Sequence, residues 1–159
     1  MAIKRVDTKK LDNVIIVSKN DDAIDEENSD WDAYLEDYKM DHLSFLADKE
    51  PTKLVCNFRF SASEIAEVKN SMMSSINKST SQPNLSVGSY QQNIARFGLK
   101  DIQNPEYVPA HDRLTLKKNG KHLRDDSIEM LEQYGLVDEI FTAYTTLTDM
   151  NQTHGNEKN

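Results

Sequence analysis

The chain reads as a small α+β domain, and three stretches carry that reading. Leu54, Cys56, Phe58 and Phe60 alternate with Lys53, Val55, Asn57 and Arg59, the period-two pattern of a strand with one buried face. Directly after it, Ser61 and Glu64 have the spacing of a capping box, and Ile65, Val68, Met72, Met73 and Ile76 then recur on one helical face. Further on, Asn119-Gly120 lies between Leu114-Thr-Leu116 and Lys121-His-Leu123, the strongest short signal for a hairpin turn. Together they imply a short antiparallel sheet with three or four helices over residues 51–147.

The other elements follow in chain order. Residues 1–20 open basic and then turn apolar at Val14–Val17, a β-branched run that suits an isolated strand. Residues 21–30 are acidic with almost no apolar side chains, and read as a solvated linker. From Asp30 to Ala47 a helix is expected, N-capped by Ser29 or Asp30, with Trp31, Tyr34, Leu35, Tyr38 and Leu46 near helical spacing. Residues 1–50 thus read as a flexible acidic N-terminal arm carrying one amphipathic helix. Strand 53–60 and helix 61–77 come next, then a polar loop over 77–84. Residues 85–102 are ambiguous: Tyr90, Ile94 and Phe97 fit a helix capped by Ser89, and Leu85 and Val87 fit a strand before it, while 103–112, with Pro105 and Pro109, reads as an irregular crossing. The hairpin occupies 113–124. Asp126 or Ser127 would cap a helix over 127–134 ended by Gly135, and a second helix would cover 138–147. Residues 148–159 are polar and read as a disordered tail. The expected core is Leu54, Phe58, Ile65, Val68, Met72, Leu131, Ile140 and Phe141.

Charge narrows the function. The chain carries 27 acids against 19 bases in 159 residues, and residues 1–50 alone hold 14 acids against 7 bases. A surface so acidic speaks against direct binding of nucleic acid or anionic membranes. No apolar run approaches the ~20 residues of a membrane span, and Val14–Val17 is too short for the apolar core of a signal peptide. The one cysteine excludes an intrachain disulfide and suits a reducing compartment. A reducing compartment is therefore expected, and secretion by a signal peptide or membrane insertion is not.

No catalytic, cofactor or metal site is expected. Cys56 falls on the apolar face of its strand, where a core thiol is expected and not a thiolate. His42, His111, His122 and His154 show no i,i+4 zinc pair and no flanking Cys-x-x-Cys. The acidic run from Asn20 lacks the sixth-position glycine of a calcium loop, and Gly120-Lys121 lacks the frame of a phosphate loop. Asp125-Asp126 stands where helix caps stand. An enzyme would have to assemble distant groups, for instance Cys56 with His111 or His122.

What remains is an interaction surface. Trp31, Tyr34, Leu35 and Tyr38 form an aromatic stripe on an otherwise anionic helix, and such a stripe either covers the domain or anchors a partner. The segment Arg96-Phe-Gly-Leu-Lys-Asp-Ile-Gln-Asn-Pro105, a polar crossing with Pro109 and a closing helix with Asp138-Glu-Ile-Phe141 resemble small bacteriophage tail-assembly chaperones and minor virion proteins over residues 87–147. In this chain Asp101-Ile102 stands where those proteins carry Gly-Trp. The resemblance implies a non-enzymatic role in tail or virion assembly, with protein partners that include other virion proteins or further copies of the chain. The alternative is an acidic regulator that mimics nucleic acid and binds a basic protein through Asp21 to Asp41.

Overall fold

The computed structural model describes residues 11–73, 75–77, 82–84, 87–104 and 116–157. The Leu114–Thr115 end of the expected hairpin, the crossing with Pro105 and Pro109, and His111 lie outside the described residues. Along the chain come β1 (Val14–Val17), α1 (Trp31–Asp37), β2 (Lys53–Cys56), α2 (Ala62–Met73), β3 (Ser75–Asn77), β4 (Gln82–Asn84), α3 (Val87–Gly98), β5 (Leu99–Gln103), β6 (Lys118–Asn119), β7 (His122–Leu123), α4 (Asp125–Gln133) and α5 (Leu136–Glu157). The α+β class is as expected.

A three-stranded antiparallel sheet, in the order β1-β2-β5, organises the domain. Val14 stands opposite Cys56, Ile16 opposite Leu54, and Leu54 opposite Ile102. All of these side chains are buried, with Leu99, on one face of the sheet. Helices α3 and α5 supply the other side of the core through Ile94, Phe97, Ile140, Ala143 and Leu147. Phe58, Phe60, Phe97 and Tyr144 join sheet and helices in a cluster of edge-on and stacked rings. At Gly98 the chain turns from α3 into β5 against the Phe58 ring. A Cβ there would lie 2.9 Å from Phe58 Cε1, so only glycine fits without moving a buried aromatic.

Residues 11–50 are not an arm. Strand β1 is an edge strand of the central sheet, and Tyr34 of α1 is fully buried over its free edge. The Tyr34 hydroxyl accepts from Val17 N at 3.0 Å and donates to Ile15 O at 2.7 Å. One phenol thus satisfies the two backbone groups that a further strand would otherwise take. Helix α1 also packs on α5. The division of the chain at Pro51 is therefore replaced by one domain that takes in residues 11–50.

Nor are residues 21–30 a solvated linker. Their short polar side chains tie down the backbone locally. Asp21 accepts from Ala23 N and Thr52 N, and Ser29 Oγ accepts from Ser44 N while donating to Ser44 O. Asp25 N donates to Ser44 O, Leu46 N to Ala23 O, and Ile24 bridges Phe45. Polarity along this run reflects turn chemistry, not solvation, and Ala23 is fully buried within it.

Other boundaries moved for local reasons. Asp30 caps α1 through Ala33 N, as expected, but the helix stops at Asp37, not Ala47. Tyr38 takes a left-handed conformation (φ 55°), and Asp37 accepts from Lys39 N, opening a separate 3-10 turn over Met40–His42. Helix α2 begins with the expected capping box: Ser61 N donates to Glu64 Oε1 and Glu64 N to Ser61 Oγ. It ends at Met73, and residues 75–77 pair instead with 82–84. Ile65, expected in the core, is 39% exposed. The ambiguous stretch resolves as helix α3 followed by β5. The hairpin places Gly120-Lys121, not Asn119-Gly120, in the two-residue turn, with Gly120 at φ +63°.

Ser127 does not cap α4. It is buried, accepting from Lys117 N and donating to Lys117 O, which fastens the hairpin to the helix. Asp125 and Asp126 lie in the first turn, where they favour the helix dipole, and Gly135 (φ +70°) ends the helix as expected. Helix α5 runs from Leu136 to Glu157, so the expected tail is helical through Glu157. Among the described residues no helix is long and apolar enough to cross a membrane.

Replacing Tyr34 with Phe should leave the ring in place but orphan Val17 N and Ile15 O. The expected cost is about 1–3 kcal/mol, read as a lower urea midpoint with an unchanged denaturant slope.

Candidate functional site

The aromatic stripe of α1 divides between two surroundings. Trp31, Leu35 and Tyr38 are spaced i, i+4 and i+7 and share one helical face. Tyr34 turns the other way, into the sheet edge. Its ring nevertheless touches both neighbours, with centroids 5.2 Å from Trp31 and 5.0 Å from Tyr38.

Trp31, Leu35 and Tyr38 face the start of α5 across a cleft of about 220 Å³. Ile16 and Val17 of β1 form its base, Asp138, Glu139 and Thr142 of α5 its second wall, and exposed Lys19 stands at the rim. The cleft is smaller than the roughly 300–1,000 Å³ of small-molecule pockets. It has room for one or two side chains, and its lining is mostly apolar except on the α5 wall.

Glu139 is the unusual group. Its Oε1 accepts from Ser18 Oγ at 3.0 Å and from Lys19 N at 3.3 Å. Its Oε2 is buried and has no hydrogen-bond partner among the described residues. Burial raises the carboxyl above its ordinary value, the two hydrogen bonds oppose that, and the neighbouring Asp138 charge adds to it. Burial, reinforced by Glu139, also pushes the Tyr38 phenol up to about 12, so it stays neutral.

Tyr34 therefore cannot anchor a partner: its ring is fully buried and its hydroxyl is committed at both lone pair and proton. Tyr38, 6% exposed, contributes only the part of its ring that lines the cleft. Trp31 and Leu35 are half-buried and remain accessible there. Sequence reasoning missed the α5 wall. Glu139 follows Leu136 by three positions and precedes Ala143 by four, so it lies on the stripe that buries both, and a carboxylate on an apolar stripe was the available signal.

Among the described residues, Cys56, His122, Glu64 and His42 are engaged structurally. Cys56 is fully buried, and burial pushes its thiol up, away from the reactive thiolate; no hydrogen bond joins it to His122. His122 lies 2.9 Å from Glu64 Oε2 and packs on Phe97 with ring centroids 4.4 Å apart. Burial alone would raise Glu64, but bonds from Ser61 and His122 outweigh it and hold the carboxyl below its usual value. His42 pairs with Asp37 at 3.0 Å. Among the described residues no group of three or more His, Cys, Asp or Glu is placed to hold a metal ion. Compared with protein-family models, curated proteins and solved structures, the chain matches none.

The raised Glu139 makes the cleft sensitive to pH. Between the usual carboxylate value and the raised one, the folded chain binds more protons at Glu139 than the unfolded chain, so this group costs stability as pH rises through that window. Gln at 139 keeps an oxygen for Ser18 and Lys19 but cannot ionise. Glu139→Gln should therefore gain stability relative to the parent chain on going from about pH 4 to about pH 8, measured by urea unfolding at both values.

Proposed function

We propose that the protein is a non-enzymatic interaction protein that receives a segment of a partner in the cleft between α1 and α5, within an assembly of the kind served by small bacteriophage tail and virion proteins. The observation that carries this reading is the cleft itself. Trp31 and Leu35 line it while only half-buried, beside a buried carboxylate oxygen that lacks a partner. Half-buried aromatic and aliphatic side chains in a pocket of side-chain size are what a protein partner uses as an anchor. Its size argues for a side chain over a cofactor. The phage setting rests on the resemblance over residues 87–147.

One observation favours the second reading, an acidic regulator. Residues 11–50 hold 13 acids against three bases, and most of the acids are exposed. A nucleic-acid mimic would bind through this field and lose affinity steeply with salt. Cleft binding depends instead on contact with Trp31 and Leu35 and should survive at about 0.3 M salt.

A photo-crosslinking residue in place of Leu35, in cells that naturally make the chain, tests the reading. A single adduct of defined mass is expected, lost when Thr142→Trp fills the cleft and not formed by the same probe at exposed Ile65. Equal labelling from both positions, unaffected by Thr142→Trp, would count against it.

A further inference from the structure

We infer that the occupant of the cleft is the β6–β7 hairpin of a second copy of this chain, entering with Lys121 first. The inference rests on the proposed function above and names its partner.

The charges are complementary within one molecule. The cleft carries Asp138 and Glu139 on its α5 wall against one cation, Lys19, at the rim, and α1 adds exposed Asp32 and Glu36. Residues 117–124 hold four lysines and arginines and no acid. Three of these four cations are already engaged. Lys117 and Arg124 both reach Asp126, at 3.7 and 3.5 Å, and Lys118 Nζ donates to Lys100 O at 2.7 Å. Lys121 is exposed in the two-residue turn and makes no ion pair or side-chain hydrogen bond among the described residues. Gly120 before it supplies the positive φ that keeps this turn narrow.

The cleft fits such a side chain at both ends. A lysine has an apolar four-carbon stem and a compact charged head. Trp31 and Leu35 offer the stem an apolar wall, and the Trp31 ring adds attraction for a cation. On the α5 wall, exposed Asp138 and the neighbouring Glu139 set two carboxyl groups beside the place the head would reach. A desolvated ion pair gains little by itself, so the stem burial supplies affinity and the pair supplies specificity.

The two patches share no residue, so the contact is heterologous and can repeat head to tail. A contact centred on one side chain is small, and association should be weak and driven by concentration.

Light scattering after size-exclusion chromatography of the full chain tests this. The average mass should rise above 18.2 kDa with concentration at about 0.05 M salt and return towards it at about 0.5 M. Lys121→Glu, with an intact cleft, and Thr142→Trp, with an intact hairpin, should each stay monomeric. Their equimolar mixture should form a discrete species of twice the chain mass, because one sound cleft then meets one sound hairpin. Glu139→Gln should weaken self-association at least tenfold. A constant 18.2 kDa under all conditions, or Lys121→Glu associating like the parent, would overturn the inference. If the chain stays monomeric while the Leu35 probe still gives an adduct sensitive to Thr142→Trp, the cleft binds a different protein: this inference falls and the proposed function stands.

Discussion

The two hydrogen bonds of the Tyr34 hydroxyl hold the rest of the structure in place. An edge strand needs a partner for its outer backbone groups, or it invites pairing with other chains. Here a single side chain accepts from Val17 N and donates to Ile15 O, so the edge is closed without another strand. Because Tyr34 belongs to α1, closing the edge also fixes α1 against the sheet. With α1 fixed, Trp31, Leu35 and Tyr38 come to stand opposite Asp138 and Glu139, and the cleft exists. Burial pushes the Tyr34 phenol up, well beyond its ordinary range, so the hydroxyl keeps the proton that the bond to Ile15 O requires.

The cleft combines two costs that the fold tolerates together. Trp31 and Leu35 remain partly open to water, and one oxygen of Glu139 is buried without a partner. A core built for stability alone would cover the first and avoid the second. Both costs fall at the same place, between the same two helices, and one incoming side chain with an apolar stem and a cationic head would cover the first and set a positive charge beside the second. That coincidence is the physical basis for treating the cleft as a binding site and not as a packing defect.

Much of the fold was legible where local chemistry decides it. The alternation in β2, the Ser61–Glu64 capping box, the Asp30 cap and the Gly135 stop all appear where the residues place them. Of the expected core, Leu54, Phe58, Val68, Leu131 and Ile140 are buried. Long-range pairing was not legible. Val14–Val17 reads as an isolated strand because its partner, β2, lies almost forty residues on, past a run that looks like linker by composition. That run is held by Asp and Ser side chains bonded to backbone, which composition alone cannot distinguish from solvation. The site was half legible: the stripe of α1 marks one wall, but nothing short of its packing shows that Tyr34 faces inward. Glu139 is visible only once α5 is given its buried face.

Native-state hydrogen exchange at the Val17 amide tests the central claim most directly. This N–H lies on the outer edge of an edge strand, held by a buried phenol and not by another strand. It should exchange only through global unfolding, with the protection of the amides between β1 and β2. Exchange as fast as at exposed Asn20 would show an open edge, an unanchored α1 and no fixed cleft.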